Sequence, residues 1–221
     1  GKVILGTTDT PIDEVSSEPI PMDAEIDFIL HHMQRYLERA PKREDVLSAF
    51  AGIRPLVRLS DKKTSELARD HVLRVGRSGM ISVLGGKWTT YRKMAADVMR
   101  KIESHSSASI RLADTRMLRM VDSGNAPRAA SIEGMTDDEI RGWIAAEVEH
   151  SLCMTVDDFL SRRSRQLLLN ARVASECAPF VAACLAELLG RDAAWQKEQI
   201  ESFQSLALNY LPQTTSKPPY P

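Results

Sequence analysis

Only three cysteines occur among the 221 residues, and no CxxC or HExxH spacing appears. Three is an odd number and too few for a disulfide framework, so the sequence reads as suited to a reducing compartment. Aromatic residues are sparse, at 5%. No apolar run reaches the ~18 residues that a membrane-spanning helix needs. Neither sign of charge dominates: 29 Lys plus Arg stand against 30 Asp plus Glu, for a net charge of -1. That balance excludes the strongly basic field of a nucleic-acid binder. No GxxxxGK spacing marks a Walker A loop. What remains, 43% hydrophobic and 27% charged residues, is ordinary globular composition.

The charge is distributed unevenly. Residues 1–136 hold 21 basic and 18 acidic side chains, and residues 137–211 hold 7 and 12. The texture changes at the same point, which predicts two domains. In the first part, Lys2 to Thr8 reads as a short strand. The proline-bearing 10–22 reads as a loop. From an N-cap at Asp23, the residues Ile26, Phe28, Ile29, Met33 and Leu37 recur at roughly helical spacing, and Pro41 ends that helix. Residues 46–59 read as an extended segment broken by Gly52 and Pro55, and 60–70 as a polar loop. Residues 71–76 and 79–84 form a hairpin around Arg77-Ser78-Gly79. Gly85-Gly86 then leads into a helix near Lys87.

After a Ser- and Gly-rich connector, the pattern becomes purely helical. Thr136-Asp137-Asp138-Glu139 is a capping box, because the Thr136 oxygen can accept from the Glu139 amide while Glu139 reaches back. Ile140, Trp143, Ile144 and Val148 form its apolar stripe. A second helix from Thr155 turns Phe159 and Leu160 inward. A third, Asn170 to Leu189, stops at Gly190, and a fourth, Ala193 to Leu211, carries Trp195, Ile200, Phe203, Leu206 and Leu208. Cys177 and Cys184, seven apart, read as core packing on one helix face. Arg162-Arg163-Ser164-Arg165 reads as a solvated helix face.

Three stretches can carry chemistry. In SVLGGKWTTYRK (82–93) a strand runs through two glycines into a helix. Glycines let a ligand approach the backbone, and free amides at a helix start favour an anion. Lys87 adds a full positive charge; an ordinary strand-turn-helix with a surface lysine stays open beside this reading. In AGIRPLVR (51–58), Arg54 lies in an apolar stretch. Its planar fork suits a phosphate or carboxylate ligand, and equally a structural salt bridge. In LARDHVL (67–73), Arg69 and His71 share one face of a strand, where they are either site or structural residues. His31-His32 has no third ligand nearby.

GTTDTP (6–11), AGIRPLV (51–57), RDH (69–71) and GGKWTTYRKMA (85–95), in that order, resemble the FAD-dependent glycerol-3-phosphate dehydrogenases. These are aerobic, quinone-linked enzymes, with glycerol-3-phosphate oxidase as a close relative. TVDDFLSRRSRQLLLNA and the final ALNYL resemble that family's C-terminal helical domain, so the resemblance covers nearly the whole chain. The family opens with a strand, a GxGxxG turn and a helix that hold the FAD pyrophosphate, and this chain has no such segment. The resemblance therefore implies a C-terminal fragment of a longer enzyme, which alone would bind FAD poorly and be inactive.

The implied fold is α+β: part of a mixed sheet from the substrate and FAD domains, followed by a small all-α domain. Residues 1–105 would be the partial substrate domain with the last strand and helix of the FAD-binding domain. Residues 106–136 would be a connector, 137–211 the helical domain and 212–221 a disordered tail. The implied reaction moves a hydride from C2 of sn-glycerol 3-phosphate to the flavin, giving dihydroxyacetone phosphate, and passes electrons to quinone. Arg54 and Lys87 match the family's catalytic and substrate-binding positions, and Arg69 a further substrate contact. Gly85, Gly86, Lys87, Trp88 and Thr89 match the cofactor-binding turn, with the amides from Gly86 to Thr89 facing the flavin's pyrimidine edge. The resemblance further implies a homodimer, cytoplasmic and peripheral on the inner face of the cell membrane. Two alternatives are an oxidase that uses oxygen, and a non-catalytic helical interaction module whose acidic 137–211 bundle docks to a partner.

Overall fold

A computed structural model describes residues 2–54, 71–105, 113–118 and 131–212. The expected tail after Pro212, most of the expected connector and residues 55–70 lie outside the described residues. The chain divides into two compact units, Gly1–Gly52 with Gly124–Pro221, and Ile53–Ser123. Helices dominate and one small antiparallel sheet is present among the described residues, so the fold class is α+β.

The larger unit is built on a helical core. Helix α3 (Asp137–Ser151) starts as its capping box requires. Glu139 N–H donates to the Thr136 hydroxyl at 3.3 Å, and Thr136 N–H to the Glu139 carboxylate at 2.8 Å. Its residues Ile140, Trp143 and Ile144 are buried, with the Trp143 ring edge-on to Phe159 at 5.3 Å between centroids. The expected second helix is a wide π-helical turn, Asp158–Arg163, closed by Ser164 N–H donating to Phe159 O at 2.8 Å. Phe159 and Leu160 point inward as their spacing predicts.

A one-turn helix, α4 (Gln166–Leu169), was not legible beforehand. It precedes α5 (Ala171–Leu189), which is capped by Asn170 and stopped by Gly190 in the left-handed region. Pro179 sits inside α5 and cannot bond the Ser175 carbonyl one turn earlier. Gln204 of α6 (Ala193–Leu208) donates its amide to that carbonyl at 3.4 Å instead. Small residues on α5, among them Ala171, Ala174, Ala178 and Ala182, are buried with Phe203 and Ala207 of α6.

Four expectations are corrected in this unit. Residues 2–8 form no strand: a strand needs a neighbour to receive its backbone groups, none pairs with it among the described residues, and Val3 and Ile4 stay exposed. Helix α1 (Asp23–Met33) starts after Met22, whose N–H donates to Glu25, and it stops well before Pro41. Helix α6 stops at Leu208, short of the expected Leu211, and Leu208 is exposed. Arg163 is not a solvated residue of a basic face, since its guanidinium donates to the carbonyl and hydroxyl of Ser151.

The N-terminal segment is stitched to the helices. Ser48 donates its hydroxyl to Leu167 O at 2.8 Å, Ala171 N–H donates to Leu47 O at 3.1 Å, and Ala49 N–H donates to Tyr210 O at 2.8 Å. Residues 46–54 form no strand of the kind the extended reading allows, because their backbone partners come from helix ends.

The smaller unit holds strands β1 (His71–Val75) and β2 (Ile81–Gly85), antiparallel in the register His71 to Gly85 and Val75 to Ile81. Gly79, with a φ of 83°, makes the turn between them. Among the described residues this hairpin is the whole sheet, in place of the expected mixed one. A short 3-10 turn, Trp88–Thr90, continues into α2 (Tyr91–His105).

Candidate functional site

Strand β2 ends in a glycine and the chain reverses through a second one before helix begins. Gly85 and Gly86 both take positive φ, 72° and 86°, where a side chain is strained. At Gly86 the space is closed as well. A Cβ there would lie 2.6 Å from the Met94 thioether and 3.3 Å from the His71 Cβ. The turn is thus pressed between β1 and α2, and a side chain at Gly86 would displace Met94 and crowd the His71 Cβ.

Lys87 is the last extended residue before the helical run and is exposed. Thr90 closes the first turn. Its hydroxyl and its N–H both donate to Lys87 O, at 3.0 and 2.9 Å, and Lys87 N–H reaches the hydroxyl at 3.4 Å. This engages one of the amides expected to face a ligand. Trp88 and Thr89 keep the unpaired N–H groups of the turn among the described residues. They stand at the positive end of the helix dipole that runs to His105, beside a lysine. Trp88 is 87% exposed, and its ring stacks on that of Tyr91 at 5.7 Å between centroids. Two free donors, an ammonium and an open aromatic pair can receive a planar, electron-rich ring with an anionic edge.

Behind the turn lies a half-buried contact that sequence spacing did not reveal. His71, opposite Gly85 in the ladder, has a side chain only 8% exposed, and its Nε2 lies 3.0 Å from Asp97 Oδ2 of α2. Lys93 reaches the same carboxylate at 3.1 Å, and Arg100 also pairs with it. The Lys93 hydrogen bond, with the charges of Lys93, Arg100 and His71, holds the Asp97 carboxyl below the usual carboxylate range. The strand-face position of His71 was the one signal available. Asp97 lies too far along the chain for any local motif to join the two.

Gly85, Gly86, Lys87, Trp88 and Thr89 therefore form one continuous turn. Arg54 is exposed and falls in the same unit as that turn. Arg69 lies outside the described residues. No cluster of three or more His, Cys, Asp or Glu side chains with metal-site geometry occurs among the described residues. No described helix is long and apolar enough to cross a membrane.

The structure thus defines an α+β protein with a Gly-Gly-Lys turn at a helix start. Its relatives give that class a family. The chain is 33% identical over 256 aligned positions to the mitochondrial glycerol-3-phosphate dehydrogenase of Bos taurus, and 34% identical over 251 to that of Homo sapiens. These alignments cover 94% and 90% of this chain and 34% of each relative. The enzyme of the same name from Saccharomyces cerevisiae is 47% identical over 111 positions, covering 46% of this chain and 17% of its own. No family model matches. The chain is homologous along nine-tenths of its length to the mitochondrial glycerol-3-phosphate dehydrogenases, and it spans about a third of their length.

Proposed function

We propose that this chain is part of a flavoenzyme that oxidises sn-glycerol 3-phosphate to dihydroxyacetone phosphate. The observation that carries the reading is homology to glycerol-3-phosphate dehydrogenases over nine-tenths of the chain, with the Gly-Gly-Lys turn inside it. FAD, when bound, supplies the acceptor for the C2 hydride and the route by which electrons pass to quinone. The donor set fits its anionic pyrimidine edge: the Trp88 and Thr89 N–H groups, the Lys87 ammonium and the backbone of Gly85 and Gly86 would hold it. Preorganised donors of this kind are worth about 3–4 kcal/mol each where charge develops. Arg54, with a planar fork and a permanent charge, binds the substrate phosphate in this reading, and Arg69 adds a second contact. The enzyme is a homodimer, peripheral on a membrane face where it meets its quinone.

Arg54→Ala in the flavin-loaded enzyme tests this. Losing charge-assisted hydrogen bonds worth about 1.5–3 kcal/mol predicts a KM for glycerol 3-phosphate roughly 10- to 100-fold higher. Arg162→Ala is the comparison, because its guanidinium pairs with Asp157 and Asp158 instead. Small and equal effects of the two changes would sink the assignment.

A further inference from the structure

We propose that His71 is a positioning residue for Lys87, acting through Asp97 to fix the Gly-Gly-Lys turn. The inference rests on the flavoenzyme reading and adds a residue to it. Two successive glycines make the turn the most conformationally free stretch between β2 and α2. An ammonium carried at its end is useful only if both arms of the turn are held. His71 holds both. Its backbone pairs with Gly85 in the ladder, its Cβ closes the space over Gly86, and its imidazole Nε2 meets Asp97 Oδ2 at 3.0 Å.

Asp97 lies on α2, the helix whose run begins just after Lys87. The contact therefore ties the strand beside the turn to the helix that follows it, with the turn enclosed between them. The imidazole is largely withdrawn from water while Asp97 stays partly exposed, so the contact is anchored from the His71 side. Lys93 and Arg100 balance the Asp97 charge from the solvent side of the same helix, and both are largely exposed. Their pairing keeps the carboxylate ionised, which the contact to His71 requires.

A misplacement of about 1 Å at a reacting centre can cost 100-fold in rate. The test uses the flavin-loaded enzyme and a double-mutant cycle. His71→Leu should lower kcat/KM for glycerol 3-phosphate about tenfold or more, and should shift the flavin's visible spectrum in the direction that Lys87→Ala shifts it. His71→Gln, which keeps a donor toward Asp97, should stay within about threefold of the parent. In the Lys87→Ala background, His71→Leu should cost clearly less than in the parent, since the lysine it positions is gone. Should His71→Leu fail to fold, Asp97→Asn takes its place, with the same reduced cost expected in the Lys87→Ala background.

Multiplicative losses in the double variant, or an unchanged spectrum and kcat/KM in folded His71→Leu, overturn the proposal. Lys87→Ala without effect on glycerol 3-phosphate oxidation overturns the flavoenzyme site itself. A harmful Lys87→Ala beside harmless changes at His71 and Asp97 overturns only the positioning role.

Discussion

The Tyr210 hydroxyl donates a 2.6 Å hydrogen bond to the Glu18 carboxylate, joining residues 192 positions apart. The Tyr210 carbonyl meanwhile accepts from Ala49 N–H. One residue at the end of the helical bundle thus anchors the N-terminal segment at two places.

That anchor has a signature at alkaline pH. Burial first, then the hydrogen bond and charge of Glu18, push the Tyr210 phenol up to about 12. The unfolded phenol ionises near 10. As pH rises through that value, the unfolded chain releases a proton that the folded chain keeps, so stability falls. Absorbance titration at 295 nm should show a late tyrosine step that Tyr210→Phe removes and Glu18→Gln moves downward. Identical titrations of parent and Tyr210→Phe above pH 10 would rule the contact out.

Most helices of the larger unit were legible because their signals are local. Thr136 and Glu139 sit three apart, Asn170 and Gly190 bracket α5, and Ile140, Trp143 and Ile144 share a stripe. The Gly85-Gly86 turn was legible for the same reason. What spacing could not show are contacts between distant residues: Gln204 answering Pro179, Tyr210 bonding Glu18, Asp97 meeting His71. Residues 2–8 misled because β-propensity says which residues suit a strand and nothing about whether a partner strand arrives.

Gly86→Ala should cost more than Gly134→Ala. Both glycines have positive φ, 86° and 84°, and each alanine suffers about 1–2 kcal/mol of backbone strain. Nothing lies within 4 Å of the Cβ direction at Gly134, whereas at Gly86 the Met94 thioether and the His71 Cβ are in the way. Met94 can swing aside, but the His71 Cβ is fixed by the β1 ladder. Denaturant unfolding should therefore show a larger midpoint shift for Gly86→Ala. Equal shifts would mean that the turn is not pressed between β1 and α2.

Gln166 offers a sharper test of the helical unit, because it is a fully buried polar side chain with every partner identified. Its Oε1 accepts from the Ser131 hydroxyl at 2.9 Å and Ile132 N–H at 3.3 Å, and its Nε2 donates to Glu133 Oε1 at 2.9 Å. Lys2 pairs with that same carboxylate, and the Lys2 and Gln166 hydrogen bonds together hold the Glu133 carboxyl below its usual range. Stability from this group is present above the ordinary carboxylate range and is lost as pH falls through the lowered native value. Gln166→Leu keeps the volume but strands the buried Ile132 N–H, which predicts a loss of about 1–3 kcal/mol at neutral pH. Ser131→Ala removes one donor to Gln166 and the exposed acceptor of the Glu133 N–H, but it leaves the Ile132 and Glu133 bonds to Gln166 in place, so it should cost less. It should also preserve the acid-side decline in stability that Gln166→Leu weakens. Urea midpoints of the two variants at neutral and acid pH decide the matter, and equal losses at both would remove Gln166 from the centre of this network.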